Sequence, residues 1–140
     1  MKKFLIFFFI FISTYANAED KEMILELESG KVEIELYSDI APNHVKRILT
    51  LAKNKEYDGV VFHRVIEGFM AQTGDVQFGN SNKDTFDLGR AGQGSSNLPD
   101  LKAEFSNIPH ERGTLSMARS SNPNSANSQF FICFEATPHL

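Results

Sequence analysis

Two short runs in which every second residue is apolar, separated by one small-residue turn, constrain this chain more than any other feature. Met23, Leu25 and Leu27 recur at alternate positions, Ser29-Gly30 interrupts, and Val32, Ile34 and Leu36 resume the alternation with Glu33 and Glu35 between them. A period of two places one set of side chains on each face of a strand, so the pattern predicts an antiparallel hairpin. Pro42 then opens a helical pattern that puts Val45, Ile48, Leu49 and Ala52 on one face, with Asp39 or Ser38 in position to cap its first amides.

After a turn over 54–59, residues 60–65 and 69–73 read as two strands around Glu67-Gly68. Residues 114–118 and 129–134 read as the last two, joined by the small polar stretch 120–127 with Pro123. Segment 74–100 is rich in Gly, Ser and Asn and is expected to be a long surface loop, either functional or mobile. Strands outnumber helices and short turns join neighbours. The fold class is therefore mainly β, an antiparallel barrel or sandwich rather than an α/β fold.

The N-terminus reads as an export signal: Lys2 and Lys3, an apolar run over 4–12, then Ala16-Asn17-Ala18 as a small-residue cleavage site. The expected organisation is a signal peptide at 1–18 and one domain at 19–140, exported to the periplasm. At nine residues the apolar run is too short to cross a hydrocarbon core of about 30 Å, so no stable membrane span is expected after cleavage. The whole chain carries 14 basic and 18 acidic residues, a net charge of −4, and loss of Lys2 and Lys3 with the leader makes it −6. Such a surface repels nucleic acid. Cys133, the single cysteine, cannot form an internal disulfide, and its apolar strand marks it as a small core residue.

Arg64 is the residue around which chemistry can be built. It follows Val60-Val61-Phe62 and precedes Phe69-Met70-Ala71-Gln72, so one permanent cation sits among apolar neighbours without an accompanying acid, base or nucleophile cluster. Taken alone, such an arginine is more often a surface ion-pair residue, here with Glu67 as candidate partner, and the Phe69-Met70 and Phe130-Phe131 pairs are more often core. His44, His63, His110 and His139 have no metal-ligand spacing, and Asp75 after Thr73-Gly74 reads as a turn-capping residue. On the second amide-and-aromatic segment, Gln129 and Phe131 share a face. Met70, Gln72, Gln129 and Phe131 beside Arg64 would make an apolar pocket edged by amides, a shape that suits a proline ring and its flanking backbone.

Four ordered segments resemble the cyclophilins, the peptidyl-prolyl cis-trans isomerases. They are Phe62-His63-Arg64-Val65-Ile66, Gly68-Phe69-Met70-Ala71-Gln72-Thr73-Gly74-Asp75, Gly113-Thr114-Leu115-Ser116-Met117-Ala118 and Ser128-Gln129-Phe130-Phe131-Ile132. Segment 98–105 resembles the bacterial branch. The resemblance implies a cyclophilin-like antiparallel β-barrel with capping helices, isomerisation of X-Pro bonds and help in folding exported proteins. It implies Arg64 and Gln72 as catalytic, and Phe69, Met70, Ala118, Arg119, Gln129, Phe131 and Leu140 as substrate-binding. Arg119 stands where the family often has asparagine, and His139 where some members have tryptophan. Members continue past the position of Leu140 with a further pocket residue, the final strands and a second helix, so 19–140 is expected to be a truncated domain. The partners implied are proline-containing polypeptides, with no cofactor, no metal, no nucleic acid and a monomeric state; the alternative is a proline-peptide-binding chaperone module with little turnover.

Overall fold

The computed structural model describes residues 21–140. The leader and its cleavage site lie outside the described residues. Six strands and one helix run in the order β1 (Glu22–Leu27), β2 (Gly30–Glu35), α1 (Pro42–Lys53), β3 (Arg64–Ile66), β4 (Met70–Thr73), β5 (Leu115–Met117) and β6 (Phe130–Cys133). The mainly β expectation holds, with every ladder antiparallel: β1 pairs with β2, and a second sheet runs β3-β4-β6-β5. Among the described residues no ladder joins the two sheets, and α1 is the only α-helix.

The first hairpin turns as its alternation demands. Leu27 faces Gly30 across a two-residue loop, and Gly30 takes φ +143, a conformation that side chains disfavour. Met23 is registered with Ile34 and Leu25 with Val32. The third strand is shorter than the apolar run suggests: Val60 makes only an isolated bridge to Asn80, and regular pairing begins at Arg64. Val61 donates instead to Gly79 O (2.9 Å), so the run 60–63 is held by the segment that follows β4 rather than by β4 itself.

That segment departs from expectation. Residues 81–90 are exposed, but Asp75, Val76, Phe78 and Asn80 belong to the core. Polar composition mimics a surface loop here because the polar groups are buried with hydrogen-bond partners, which removes the penalty for placing them inside.

Helix α1 packs Val45, Arg47, Ile48 and Leu51 inward, while Leu49 and Ala52 are half-buried. An open cavity of about 620 Å³ lies between β2, α1 and β5, with Val32, Ile34, Ile48, Leu115 and Met117 on its walls. Asp39 and Ser38 do not cap the helix; Ala41 is the N-cap residue and brings no capping side chain. The exposed amides are taken by Glu104, sixty residues downstream, whose carboxylate accepts from Asn43 N (3.1 Å), His44 N (3.0 Å) and Asn43 Nδ2 (2.6 Å). A carboxylate at this end also meets the positive pole of the helix dipole.

The inner face of α1 reaches the segments flanking the second sheet through Arg47, whose guanidinium donates to Asn127 O (3.2 Å) and Pro99 O (2.7 Å). Just beyond the helix, Tyr57 donates to Ser128 O (2.8 Å) and sets its ring edge-on to Phe130 at 5.6 Å. Burial pushes the Tyr57 phenol far above its usual range, so it remains a donor at any working pH. These contacts fix residues 127 and 128, and hence the entry into β6.

Burial alone pushes the Glu104 carboxyl up, but the three amide donors and nearby His44 outweigh it and hold the group below the ordinary range. A depressed folded-state pKa makes its contribution present at neutral pH and lost as pH falls through that value. Glu104→Ala should therefore lower unfolding free energy at pH 7 by about 1–2 kcal/mol in urea denaturation. The gap from wild type should close below about pH 4.

Candidate active site

Strand register brings the site together. Arg64 on β3 lies opposite Gln72 on β4, Gln72 opposite Phe131 on β6, and Phe131 opposite Ser116 on β5. Residues directly opposite in antiparallel strands project to the same side, so a single row across four strands carries a guanidinium, an amide, a phenyl ring and a hydroxyl. Met70 and Cys133 form the next pair on that side, both 1% exposed.

The polar members are linked in sequence. Arg64 Nη1 donates to Gln72 Oε1 (3.3 Å), and Gln72 Nε2 donates to Gln129 Oε1 (2.9 Å). Gln129 Nε2 donates in turn to the backbone carbonyls of Gly92 (3.0 Å) and Gly94 (2.8 Å). Arg64 is exposed and held by Gln72 rather than paired with Glu67, so the ion-pair alternative does not describe it.

Phe69 sits half-buried just before β4, fixed by the bond from Phe134 N to Phe69 O (2.8 Å). Its ring faces His139 at 5.9 Å between centroids, tilted by 33°. Phe131 is stacked on His110 at 6.1 Å, with 12° between planes. Ala118 is half-buried and donates to Gln129 O (2.9 Å); together with Gln72, Gly94, Arg119, Asn127 and Gln129 it borders a polar cavity of about 330 Å³. The Arg119 guanidinium is engaged locally, donating to Ser120 O (2.9 Å) with the Phe105 ring 5.8 Å away. Leu140 is 56% exposed, and its N–H bonds back to Thr137 O (3.0 Å).

Three participants were not evident from sequence. Nothing near His110 signals that it would stack on Phe131, and the carbonyls of Gly92 and Gly94 are backbone groups that no side-chain pattern announces. Asp75 caps its turn as expected, accepting from Gln77 N (3.0 Å) and Phe78 N (2.8 Å). It also accepts from Gly92 N and Gly94 N, each at 2.8 Å, which no local sequence pattern signals.

His63 packs beneath Gly92, where a Cβ would come within 2.9 Å of its ring. With Gly92 at φ +97, any larger residue there would meet both strain and collision. Neither His63 ring nitrogen has a hydrogen-bond partner; the nearby Gln129 amide favours the charged ring only weakly. Burial lowers the His63 pKa, and Arg64 lowers it further against the opposing pull of Asp75.

The fold and site define a class: an antiparallel sheet that sets a guanidinium, two amides and the Phe131 ring side by side, next to a polar cavity. Residues 22–140 match the family model described as "Cyclophilin type peptidyl-prolyl cis-trans isomerase/CLD". The chain belongs to the cyclophilin family. It is 59% identical over 127 residues to a protein of Brucella suis biovar 1 (strain 1330) named as a probable peptidyl-prolyl cis-trans isomerase, covering 89% of this chain and 64% of that protein. It thus spans under two thirds of that relative's length. Cyclophilin AquaCyp293 from Hirschia baltica matches with a TM-score of 0.70 at 28% identity, over 86% of this chain and 60% of the other. A Cryptosporidium parvum cyclophilin type peptidyl-prolyl cis-trans isomerase, crystallised in the presence of the dipeptide Ala-Pro, matches with a TM-score of 0.66 at 30% identity, over 81% and 67%.

Because His63 is harder to protonate when folded than when unfolded, the unfolded chain binds more protons between the two pKa values, and stability falls as pH drops below about 6.5. The urea midpoint should be lower at about pH 5.5 than at pH 7.5, and His63→Gln should remove part of that difference. An unchanged pH dependence in His63→Gln would show that the ring is not buried in its neutral form.

Proposed function

We propose that this chain carries a peptidyl-prolyl cis-trans isomerase site in which Arg64 is the catalytic donor and Gln72 assists it. Phe69, Met70 and Phe131 receive the proline ring, while Gln129 and Ala118, with Arg119 and Leu140 at the margins, hold the flanking peptide. The observation that carries the reading is the row Arg64-Gln72-Phe131 across β3, β4 and β6, with the guanidinium tethered at one edge of an apolar surface.

Rotation about a prolyl bond is slow because amide resonance opposes it by about 18–20 kcal/mol. In the twisted state the nitrogen lone pair is no longer shared with the carbonyl and becomes a hydrogen-bond acceptor. A guanidinium has five N–H donors and stays protonated at any working pH. One of them is committed to Gln72, leaving others to meet that nitrogen. The contact exists only in the transition state, so it lowers the barrier rather than merely binding substrate.

One charge-assisted hydrogen bond contributes about 1.5–3 kcal/mol, whereas a 10⁵-fold acceleration needs about 7 kcal/mol. The remainder falls to the apolar floor and to positioning. The planar amide is the more dipolar state, so transfer from water to Phe69, Met70 and Phe131 disfavours it relative to the twisted one, and the surface formed by Gln129 and Ala118 positions the flanking chain while the prolyl side turns. The Ala-Pro dipeptide present with the Cryptosporidium parvum relative supports a proline ligand of this kind. The export pattern of the leader supports a periplasmic location, where a monomer would assist folding of exported proteins.

Arg64→Ala should lower kcat/KM for a proline peptide by about 10- to 150-fold, the equivalent of that one hydrogen bond, while peptide affinity by calorimetry changes little. Unchanged turnover in the variant would remove Arg64 as the catalytic donor, whereas a wild type that binds the peptide without accelerating its isomerisation would leave a peptide-binding module as the better description. The wild-type rate should be flat between about pH 6 and 8, since no participant titrates there.

A further inference from the structure

We propose that Asp75 is the positioning residue that sets the Arg64 guanidinium, acting through Gly92 and Gly94, then Gln129, then Gln72; this rests on the isomerase reading of Arg64. Asp75 is fully buried at 0% exposure, on no face of the groove, and touches none of the pocket aromatics by hydrogen bond. Its link to the site is the polarity of the bonds between.

A side-chain amide has a donor end and an acceptor end, and either can face a given neighbour. Here each choice is forced by the one before it. Asp75 accepts the N–H groups of Gly92 and Gly94 (2.8 Å each), and the carbonyls of those same glycines converge on Gln129. Two acceptors can be met only by the Nε2 end of Gln129, so its Oε1 must face Gln72. Gln72 then has to turn its Nε2 to Gln129, which leaves its Oε1 for Arg64. A flipped Gln72 would aim its N–H groups at the guanidinium, and a flipped Gln129 would set N–H against N–H at Gln72 and oxygen against the Gly92 and Gly94 carbonyls.

Burial by itself raises the Asp75 carboxyl, and the four backbone donors more than compensate, holding it below the usual carboxylate range. It is therefore an acceptor at both oxygens at neutral pH, as the arrangement needs. Gly94 can be no other residue without disturbing it: a methyl there would overlap Asp75 Oδ1 and approach Gln77 Cβ at 2.8 Å.

The test is isomerisation of a proline peptide by the full chain, with thermal melts alongside, in Asp75→Asn, Gly94→Ala, Gln129→Ala and the two pairings with Gln129→Ala. Asp75→Asn replaces one acceptor by an NH2 group aimed at glycine N–H groups; Gly94→Ala keeps the carboxylate and displaces it. Each should cut kcat by about tenfold with KM changed less than about twofold, since the hydrogen bond being weakened, from Arg64 to the turning nitrogen, forms in the transition state. Each should add less than about a twofold loss when Gln129 is already alanine, because both act through that residue. Retained kcat in folded Asp75→Asn, or losses that multiply in the pairings, overturns the proposal. So does failure of both Asp75→Asn and Gly94→Ala to melt cooperatively, since Asp75 would then secure the fold and not the relay. A fully active Arg64→Ala defeats the reading of Arg64 as catalytic donor on which the relay rests, and an inactive Arg64→Ala with an unimpaired Asp75→Asn defeats the relay alone.

Discussion

A carboxylate taken out of water must be surrounded by donors or it will not stay charged, and much of the second sheet's surroundings follows from how Asp75 meets that demand. Four backbone N–H groups, two from the turn at 77–78 and two from Gly92 and Gly94, close around it. Closing them folds a polar segment back over the sheet, buries Val76 and Phe78, and sets Gly92 on the His63 ring. The site is thus assembled from two directions. Strand pairing supplies Arg64, Gln72 and Phe131, and the returning segment supplies the carbonyls that orient their amide partners.

What could be read from sequence was whatever local periodicity or local chemistry determines. The first hairpin, α1, β4 and β6 were legible to within a residue or two, although Leu27 and Val32 on the hairpin's apolar face remain exposed. The cap of α1 was not, because Glu104 reaches it from sixty residues away and local candidates such as Asp39 looked sufficient. Segment 74–100 misled for a related reason. Its Gly, Ser and Asn residues are the composition of exposed loops, yet Asn80 is buried with its amide donating to Glu56 O (3.0 Å). Composition registers polarity and says nothing of whether a distant partner will satisfy it.

The same division runs through the site. That Gln129 and Phe131 lie near Met70 and Gln72 could be anticipated from four ordered segments resembling one family. The register that sets Arg64 opposite Gln72 is a property of paired strands, and the stacking of His110 on Phe131 comes from a segment outside any strand. Arg119, placed along the groove by the family resemblance, has its guanidinium engaged locally with Ser120 O and near the Phe105 ring. Its backbone neighbour Ala118, bonded to Gln129, is the more direct contributor to the groove wall.

An exposed arginine is a poor catalyst by default, because holding its long side chain in one geometry opposes about 2 kcal/mol of rotamer entropy, comparable to the hydrogen bond it would supply. Tethering answers this at a modest cost in donors. The bond to Gln72 is long at 3.3 Å, loose enough that the guanidinium keeps its remaining N–H groups free, yet directional because Gln72 is itself held at 2.9 Å by Gln129. Burial increases along the chain of hydrogen bonds away from the solvent, from an exposed cation through half-buried amides to a fully buried carboxylate. On the proposed reading, a relay graded in this way would hold the resting direction of the guanidinium through groups that water does not reach.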